Sequence, residues 1–303
     1  MIADKIRSVL IIGMGLIGSS IARAITEKKL AENIFAVDPK QEVVNKCIEL
    51  NLVKEIKKNL DEYNQQFDLI FICTPLSKYN DIFFNLNKYV NQNTLLTDVG
   101  STKISVIADF KANVKNDFIK FLPCHPIAGL EKSGPEYGFS TLFENRYCIA
   151  TPFNKDDDFV KVICKFWEEI GMKIEIMDAD YHDRILAMTS HIPQLIAYSV
   201  VGTVSELEDQ VKDEIIKYSA AGFRDFTRLA GSDPIMWRDI YARNQDSVLE
   251  MLGRFGEDLS LLQKAIRNND KDFLEKKFSN AKKIRKSIED IGQAGSFDPR
   301  ENK

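Results

Sequence analysis

The chain has 303 residues, 44% of them hydrophobic and 28% charged, with a formal net charge of −4 and a pI near 5.6. That is enough chain for two domains with proper cores, and its slightly acidic balance offers no attraction to nucleic acid or to an anionic membrane surface, so a small molecule is the expected ligand. No apolar run approaches the roughly 20 residues needed to cross a bilayer, the first glycines come too early for a secretory apolar core, and a cytoplasmic protein is expected.

Taken in chain order, the first half alternates short apolar runs with helical patterns. "SVLIIG" leads into "LIGSSIARAITEKK", "NIFAVD" into "QEVVNKCIEL", "DLIFICTP" into "YNDIFFNLNKYV", and "TLLTDVG" into "ISVIADFKANV". Continuous Val/Ile/Leu/Phe runs are the mark of strands buried on both faces, and their alternation with helices predicts an α/β, Rossmann-like, mainly parallel doubly wound sheet. "FIKFLPC", "RYCIAT" and "KIEIM" are further predicted strands, with a helix over "DFVKVICKFWEEIG". A first domain is therefore expected over 1–177. An all-helical domain is predicted over 178–292, followed by a tail at 293–303. Its first long helix contains Pro193, whose missing N–H and ring predict a kink around Thr189 to Pro193. Val248, Leu252, Phe255, Leu259 and Leu262 recur at helical spacing, as do Leu274, Phe278, Ala281, Ile284, Ile288 and Ile291. These stripes look too extensive for one small domain to cover, and a homodimer with a mainly helical interface is expected.

The five cysteines, Cys47, Cys73, Cys124, Cys148 and Cys164, are odd in number and widely spaced, with no histidine at metal-like spacing. They read as reduced, buried small hydrophobes, and no metal site is expected. Cys124 adjoins His125, but neighbouring residues on an extended segment point to opposite faces, which argues against a nucleophile and base pair.

"LIIGMGLIGSS" places Gly13, Gly15 and Gly18 in a G-x-G-x-x-G pattern between a strand and a helix. Asp38 closes the next predicted strand, where a carboxylate can accept hydrogen bonds from a ribose 2′-hydroxyl and would repel a 2′-phosphate; NAD is favoured. The candidate cofactor contacts are Gly13, Gly15, Leu16, Ile17 and Gly18 in this loop and helix start, with Asp38. In an open parallel sheet ligands collect beyond the carboxyl ends of the strands. Three further segments end there: Thr74 and Pro75, also cofactor candidates; Gly100 and Ser101; and His125. Ser101 also reads as an N-cap for a helix starting at residue 102 or 103.

"GMGLIGSS", "DVGSTK", "HPIAGLEKSGPEYG", "TSHIP" and "GFRDFTRLAGSDPIMWRDI" occur in order over nearly the whole chain, and together they resemble the prephenate and arogenate dehydrogenase family of tyrosine biosynthesis. The resemblance implies NAD-dependent oxidative decarboxylation of prephenate to 4-hydroxyphenylpyruvate, with arogenate as the alternative substrate. It implies that His125 accepts the substrate hydroxyl proton with Ser101 in support, that Arg228 binds a substrate carboxylate, and that His191 lines the substrate pocket. Glu131 matches the family's acid thought to tune that pocket; a surface carboxylate is the equal alternative. Gln194 stands where many relatives have a second histidine, and is a candidate substrate contact. Leu130 and Ala221 also depart from the family pattern. His182 has the family's surroundings and reads as structural, near the domain junction; Arg224 reads as a surface residue. Asp233 and Pro234 predict a helix start, with Trp237 as interdomain or core packing. Two other classes remain open on the residues alone: another two-domain NAD-dependent reductase, which would not need His125 and Arg228 together, and a non-enzymatic NAD-binding regulatory protein, which would not need His125.

Overall fold

The computed structural model describes residues 6–115 and 119–291; the expected tail lies outside them. Six parallel strands form the first sheet: β1 (Ser8–Ile12), β2 (Asn33–Val37), β3 (Glu55–Lys57), β4 (Leu69–Ile72), β5 (Leu95–Asp98) and β6 (Lys120–Leu122), in the order β3-β2-β1-β4-β5-β6. The strand order reverses at β1 and β4, so a crevice opens beyond their carboxyl ends. Helices α1 (Leu16–Lys28), α2 (Gln41–Glu49), α3 (Tyr79–Leu86) and α4 (Ile104–Asn113) follow β1, β2, β4 and β5.

Side-chain alternation splits each central strand between two cores. Val9, Ile11, Leu69 and Phe71 pack on one side, with Ile21 and Ile25 of α1. Leu10, Ile12, Ile70 and Ile72 pack on the other, with Phe83 of α3 and Val106 of α4. Burial on both faces is why these strands read as unbroken apolar runs. β3 is the strand that the sequence does not announce: three residues, "EIK", with no apolar run.

The predicted strand "FIKFLPC" is divided. β6 ends at Leu122, and β7 (Cys124–Pro126) opens a second sheet with β8 (Tyr147–Ala150) and β9 (Lys173–Ile176), in which β7 and β8 run antiparallel and β8 and β9 parallel. Pro123 sits at the break, where it has no N–H for a ladder; its carbonyl accepts the Thr151 N–H at 2.9 Å. Between β8 and β9, α5 (Asp158–Ile170) packs Val160, Ile163, Phe166 and Trp167 onto the first core.

The remaining chain is helical: α6 (Ala179–Leu186), α7 (Ile192–Ser205), α8 (Asp209–Lys217), α9 (Ala221–Thr227), α10 (Pro234–Arg243), α11 (Gln245–Arg267) and α12 (Lys271–Asp290). The kink expected before Pro193 takes the form of a π turn over Ala187–His191, in which the Ile192 N–H donates to the Ala187 carbonyl. Contrary to the reading of the sequence, the helical stretch Ala179–Ser205 is long and apolar enough to cross a membrane by length and composition, with a mean hydropathy of 1.3 in an 18-residue window. It nevertheless carries buried His182, Asp183, His191 and Gln194 in hydrogen bonds, as a core helix at a domain junction does. Asp233 caps α10 as predicted, accepting the Ile235 and Met236 N–H groups at 2.8 and 3.0 Å. Trp237 packs against the nucleotide-domain core and stands 6.0 Å from the His191 ring, so it is interdomain.

Candidate active site

The glycine loop is shaped by close approach. Gly13 has φ +97°, and a Cβ there would lie 2.6 Å from the Cys73 carbonyl; one on Gly18 would lie 2.0 Å from the Gly13 carbonyl. Gly15 differs, since a Cβ there meets nothing within 4 Å. The open space at Gly15 fronts the N-terminus of α1, which has no side-chain cap. Its first-turn amides, those of Leu16, Ile17 and Gly18, are thus available to an anion, and a pyrophosphate fits that cradle. Buried Asp38 accepts the Met14 and Lys40 N–H groups at 3.0 Å each; a carboxylate has about four acceptor sites, so capacity remains for a ribose hydroxyl. On β4's carboxyl edge beside Pro75, the buried Thr74 hydroxyl has no partner among the described residues, as expected of a group that meets a ligand.

His125 lies on β7, just beyond the carboxyl end of β6, and is half-buried. Cys124 points the other way, into the core. The His125 Nδ1 is 2.9 Å from the His182 Nε2, and the His182 Nδ1 is 2.7 Å from Asp183 Oδ1. Asp183 in turn accepts the Lys103 N–H at 2.7 Å and the Ile104 N–H at 3.0 Å. The N-terminus of α4 is therefore capped by a carboxylate from α6, not by Ser101 as expected: α4 begins at Ile104, one or two residues later than predicted, with Lys103 at the cap position. Ser101 itself is half-buried in the turn after β5.

Beneath this chain lies a buried ion pair. The Lys103 ammonium donates to Asp98 Oδ2 and to the Cys124 carbonyl, each at 2.7 Å. Asp98 also accepts the Cys124 N–H at 3.0 Å, the Gly100 N–H at 2.8 Å and the Tyr79 hydroxyl at 3.1 Å, the full satisfaction that a buried pair requires. Burial, then His182, Lys103 and His191, hold the His125 pKa well below the ordinary imidazole value. Burial also lowers His182, against the pull of Asp183. At neutral pH both rings are uncharged.

The helical domain contributes the other side. Arg228 follows α9, and its guanidinium pairs with the Glu131 carboxylate on the loop after β7, so two residues far apart in sequence meet across the cleft. Gln194 is buried and donates its amide to the Leu229 carbonyl at 2.7 Å, holding the turn that carries Arg228. His191 is buried, with its Nδ1 3.2 Å from the Asn244 amide, and burial first, with His182, lowers its pKa to about 4. Leu130 packs on the first core, and Arg224 donates to the Ser219 carbonyl on the surface. The same loop is tied to the cofactor helix: the Phe139 N–H donates to the Ser20 hydroxyl at 3.1 Å.

Sequence reasoning passed over Asp98, Lys103 and Asp183, and took His182 for a structural residue. Asp98 and Lys103 flank Ser101 in "DVGSTK", and Asp183 adjoins His182, so paired charges next to candidate residues were the available signal.

A dinucleotide cradle at the switch point of a parallel sheet, closed by a helical domain bearing an arginine, defines a two-domain NAD-dependent dehydrogenase. Comparison with known proteins narrows the class. The family model described as "Prephenate dehydrogenase, nucleotide-binding domain" matches residues 21–176, and "Prephenate dehydrogenase, dimerization domain" matches residues 178–280. The cyclohexadienyl dehydrogenase of Zymomonas mobilis is 35% identical over 93% of this chain and 96% of its own; the prephenate dehydrogenase of Bacillus subtilis is 29% identical over 93% and 76%. The crystal structure of Aquifex aeolicus prephenate dehydrogenase in complex with hydroxyphenyl propionate and NAD+ superposes with a TM-score of 0.85 at 30% identity, covering 93% of this chain and 98% of that one. The chain belongs to the prephenate dehydrogenase family.

Proposed function

We propose that the protein oxidises and decarboxylates prephenate to 4-hydroxyphenylpyruvate, with NAD as the oxidant. The observation that carries this reading is the half-buried, neutral His125, tethered through Nδ1 and with no partner on Nε2 among the described residues, together with the Arg228–Glu131 pair that joins the helical domain to the loop six residues beyond it. When bound, NAD accepts the hydride from the carbinol carbon of the ring. His125 accepts the hydroxyl proton at Nε2 as the C–O bond gains carbonyl character. Breaking the bond to the ring carboxylate then returns an electron pair to the ring, which becomes aromatic, and His125 gives the proton back to the phenol oxygen while carbon dioxide leaves. Arg228 binds a substrate carboxylate with its planar fork, exchanging Glu131 for it; Ser101 assists at the hydroxyl, and His191 lines the pocket.

The preference for prephenate rests on what would face the side chain. Arogenate carries an ammonium where prephenate has a keto group, and an ammonium calls for a carboxylate. No acid occurs in "TSHIPQLIAYS", and the Gln194 side-chain NH2 is committed to the Leu229 carbonyl. The Zymomonas relative's name specifies the ring and not the side chain. The test is kcat/KM for both substrates with NAD: a preference for prephenate is expected, and a tenfold preference for arogenate, about 1.4 kcal/mol, overturns the choice and points to Glu131 or Gln194 as the ammonium's partner.

The protein acts as a homodimer through its helical domain. Phe278 and Ile284 of α12 and Ile291 just beyond it are 58%, 66% and 70% exposed, and α12 buries no residue within the chain, so the stripes want a second copy. Five free cysteines suit a cytoplasmic location.

A further inference from the structure

We propose that His182 and Asp183 are positioning residues that fix the tautomer of His125, an inference that rests on the reading of His125 as the proton acceptor. Asp183 sets the order of hydrogens along the chain. Its Oδ1 and Oδ2 accept backbone N–H groups from Lys103 and Ile104, and as an ionised carboxylate it is an acceptor only. The His182 Nδ1, 2.7 Å from Oδ1, must therefore carry a hydrogen. A neutral imidazole protonated at Nδ1 has a lone pair at Nε2, and burial keeps His182 neutral. That lone pair lies 2.9 Å from the His125 Nδ1, which must in turn be the donor. His125 is left with a bare Nε2, the form able to take the substrate's hydroxyl proton. The opposite order would put hydrogen on that nitrogen and disable it.

The same chain answers the charge that forms. Once His125 holds a proton, its Nδ1–H bond to His182 becomes charge-assisted, with Asp183 behind it in a buried setting. It also spans the two domains: His125 is on β7 and Asp183 on α6, and Asp183 reaches the start of α4. The Asn244 amide, at the junction of α10 and α11, donates to the Asp183 carbonyl at 2.9 Å and further fixes the corner.

The chain contains only three histidines, so six imidazole nitrogens appear in a ¹⁵N-histidine spectrum of the full-length protein with NAD. His125 and His182 are each expected to be protonated at Nδ1 and bare at Nε2; hydrogen on the His125 Nε2 overturns the proposal without any variant. His182→Phe removes the acceptor, while His182→Gln offers a carbonyl oxygen near the place of Nε2. The Phe variant should lose roughly 10²-fold in kcat with KM and NAD affinity within about threefold, and show His125 in both tautomers; the Gln variant should recover most of the rate and the single tautomer. A Phe variant at wild-type kcat, or a Gln variant as slow as the Phe variant, overturns the proposal. Failure of His125→Asn to slow turnover would instead remove the reading of His125 as acceptor and leave the tautomer assignment standing.

Discussion

Gly15 and Gly18, in one glycine loop, should respond to the same methyl group in opposite ways. At Gly18 an added Cβ lies 2.0 Å from the Gly13 carbonyl oxygen and 3.1 Å from the Ile11 side chain, where real Cβ contacts under 3.0 Å essentially never occur. Backbone must move by about an ångström, an overpacking cost of about 1–3 kcal/mol, which lowers Tm by roughly 2–12 °C at 2–4 °C per kcal/mol for a domain of this size. At Gly15, φ is −73° and the added Cβ meets nothing within 4 Å. Alanine there gains about 0.4–1 kcal/mol from the less free unfolded chain and loses a similar amount as a poorer N-cap, so Tm should stay within about 3 °C. The methyl group would, however, stand where the pyrophosphate must approach the amides of Leu16 and Ile17, and NAD should bind at least tenfold more weakly, about 1.4 kcal/mol. Thermal unfolding of the apoprotein and calorimetric titration with NAD separate the two effects. Gly15→Ala with wild-type NAD affinity, or Gly18→Ala with an unchanged Tm, would refute the reasoning.

Three other outcomes are expected. His125→Asn should keep NAD affinity while kcat falls by ~10²-fold or more, the scale of losing a positioned base; steady-state kinetics with a separate binding titration checks this. Arg228→Ala should mainly raise KM for the substrate, since a carboxylate clamp acts in ground and transition states alike, and an unchanged KM would count against it. Stability should fall in mild acid: the unfolded chain takes up a proton on His191 near pH 6.5 and the folded protein only near about 4, so the unfolded state binds more protons in that window and His191 alone costs roughly 2 kcal/mol at about pH 5. Denaturant titrations at neutral and acidic pH, repeated on His191→Asn, should show the loss and its reduction in the variant.

What could be read in the sequence was what local spacing encodes. Gly13, Gly15, Gly18 and Asp38 lie within one strand–helix–strand unit, and their pattern stands in the chain itself. Pro193 likewise foretold a disturbed helix. Pro123 carried the signal for the break between the two sheets, but an apolar run on either side masked it. The link from His125 to His182 crosses 57 positions and that from Lys103 to Asp183 crosses 80; no periodicity reports contacts of that range. Ser101 was read as a cap because it precedes a helix, whereas the acid that caps α4 comes from another domain. Gln194 was read for the chemistry of its amide, and the Leu229 carbonyl that engages it belongs to a turn whose position only the packed helices define.

If prephenate is the substrate, hydride removal and loss of the ring carboxylate are one reaction at this site. Purified protein given prephenate and NAD should form NADH, carbon dioxide and 4-hydroxyphenylpyruvate in equal amounts, measured by absorbance, trapped carbon dioxide and chromatography in one time course. NADH formed without matching carbon dioxide, or no NADH from prephenate at all, would contradict the account.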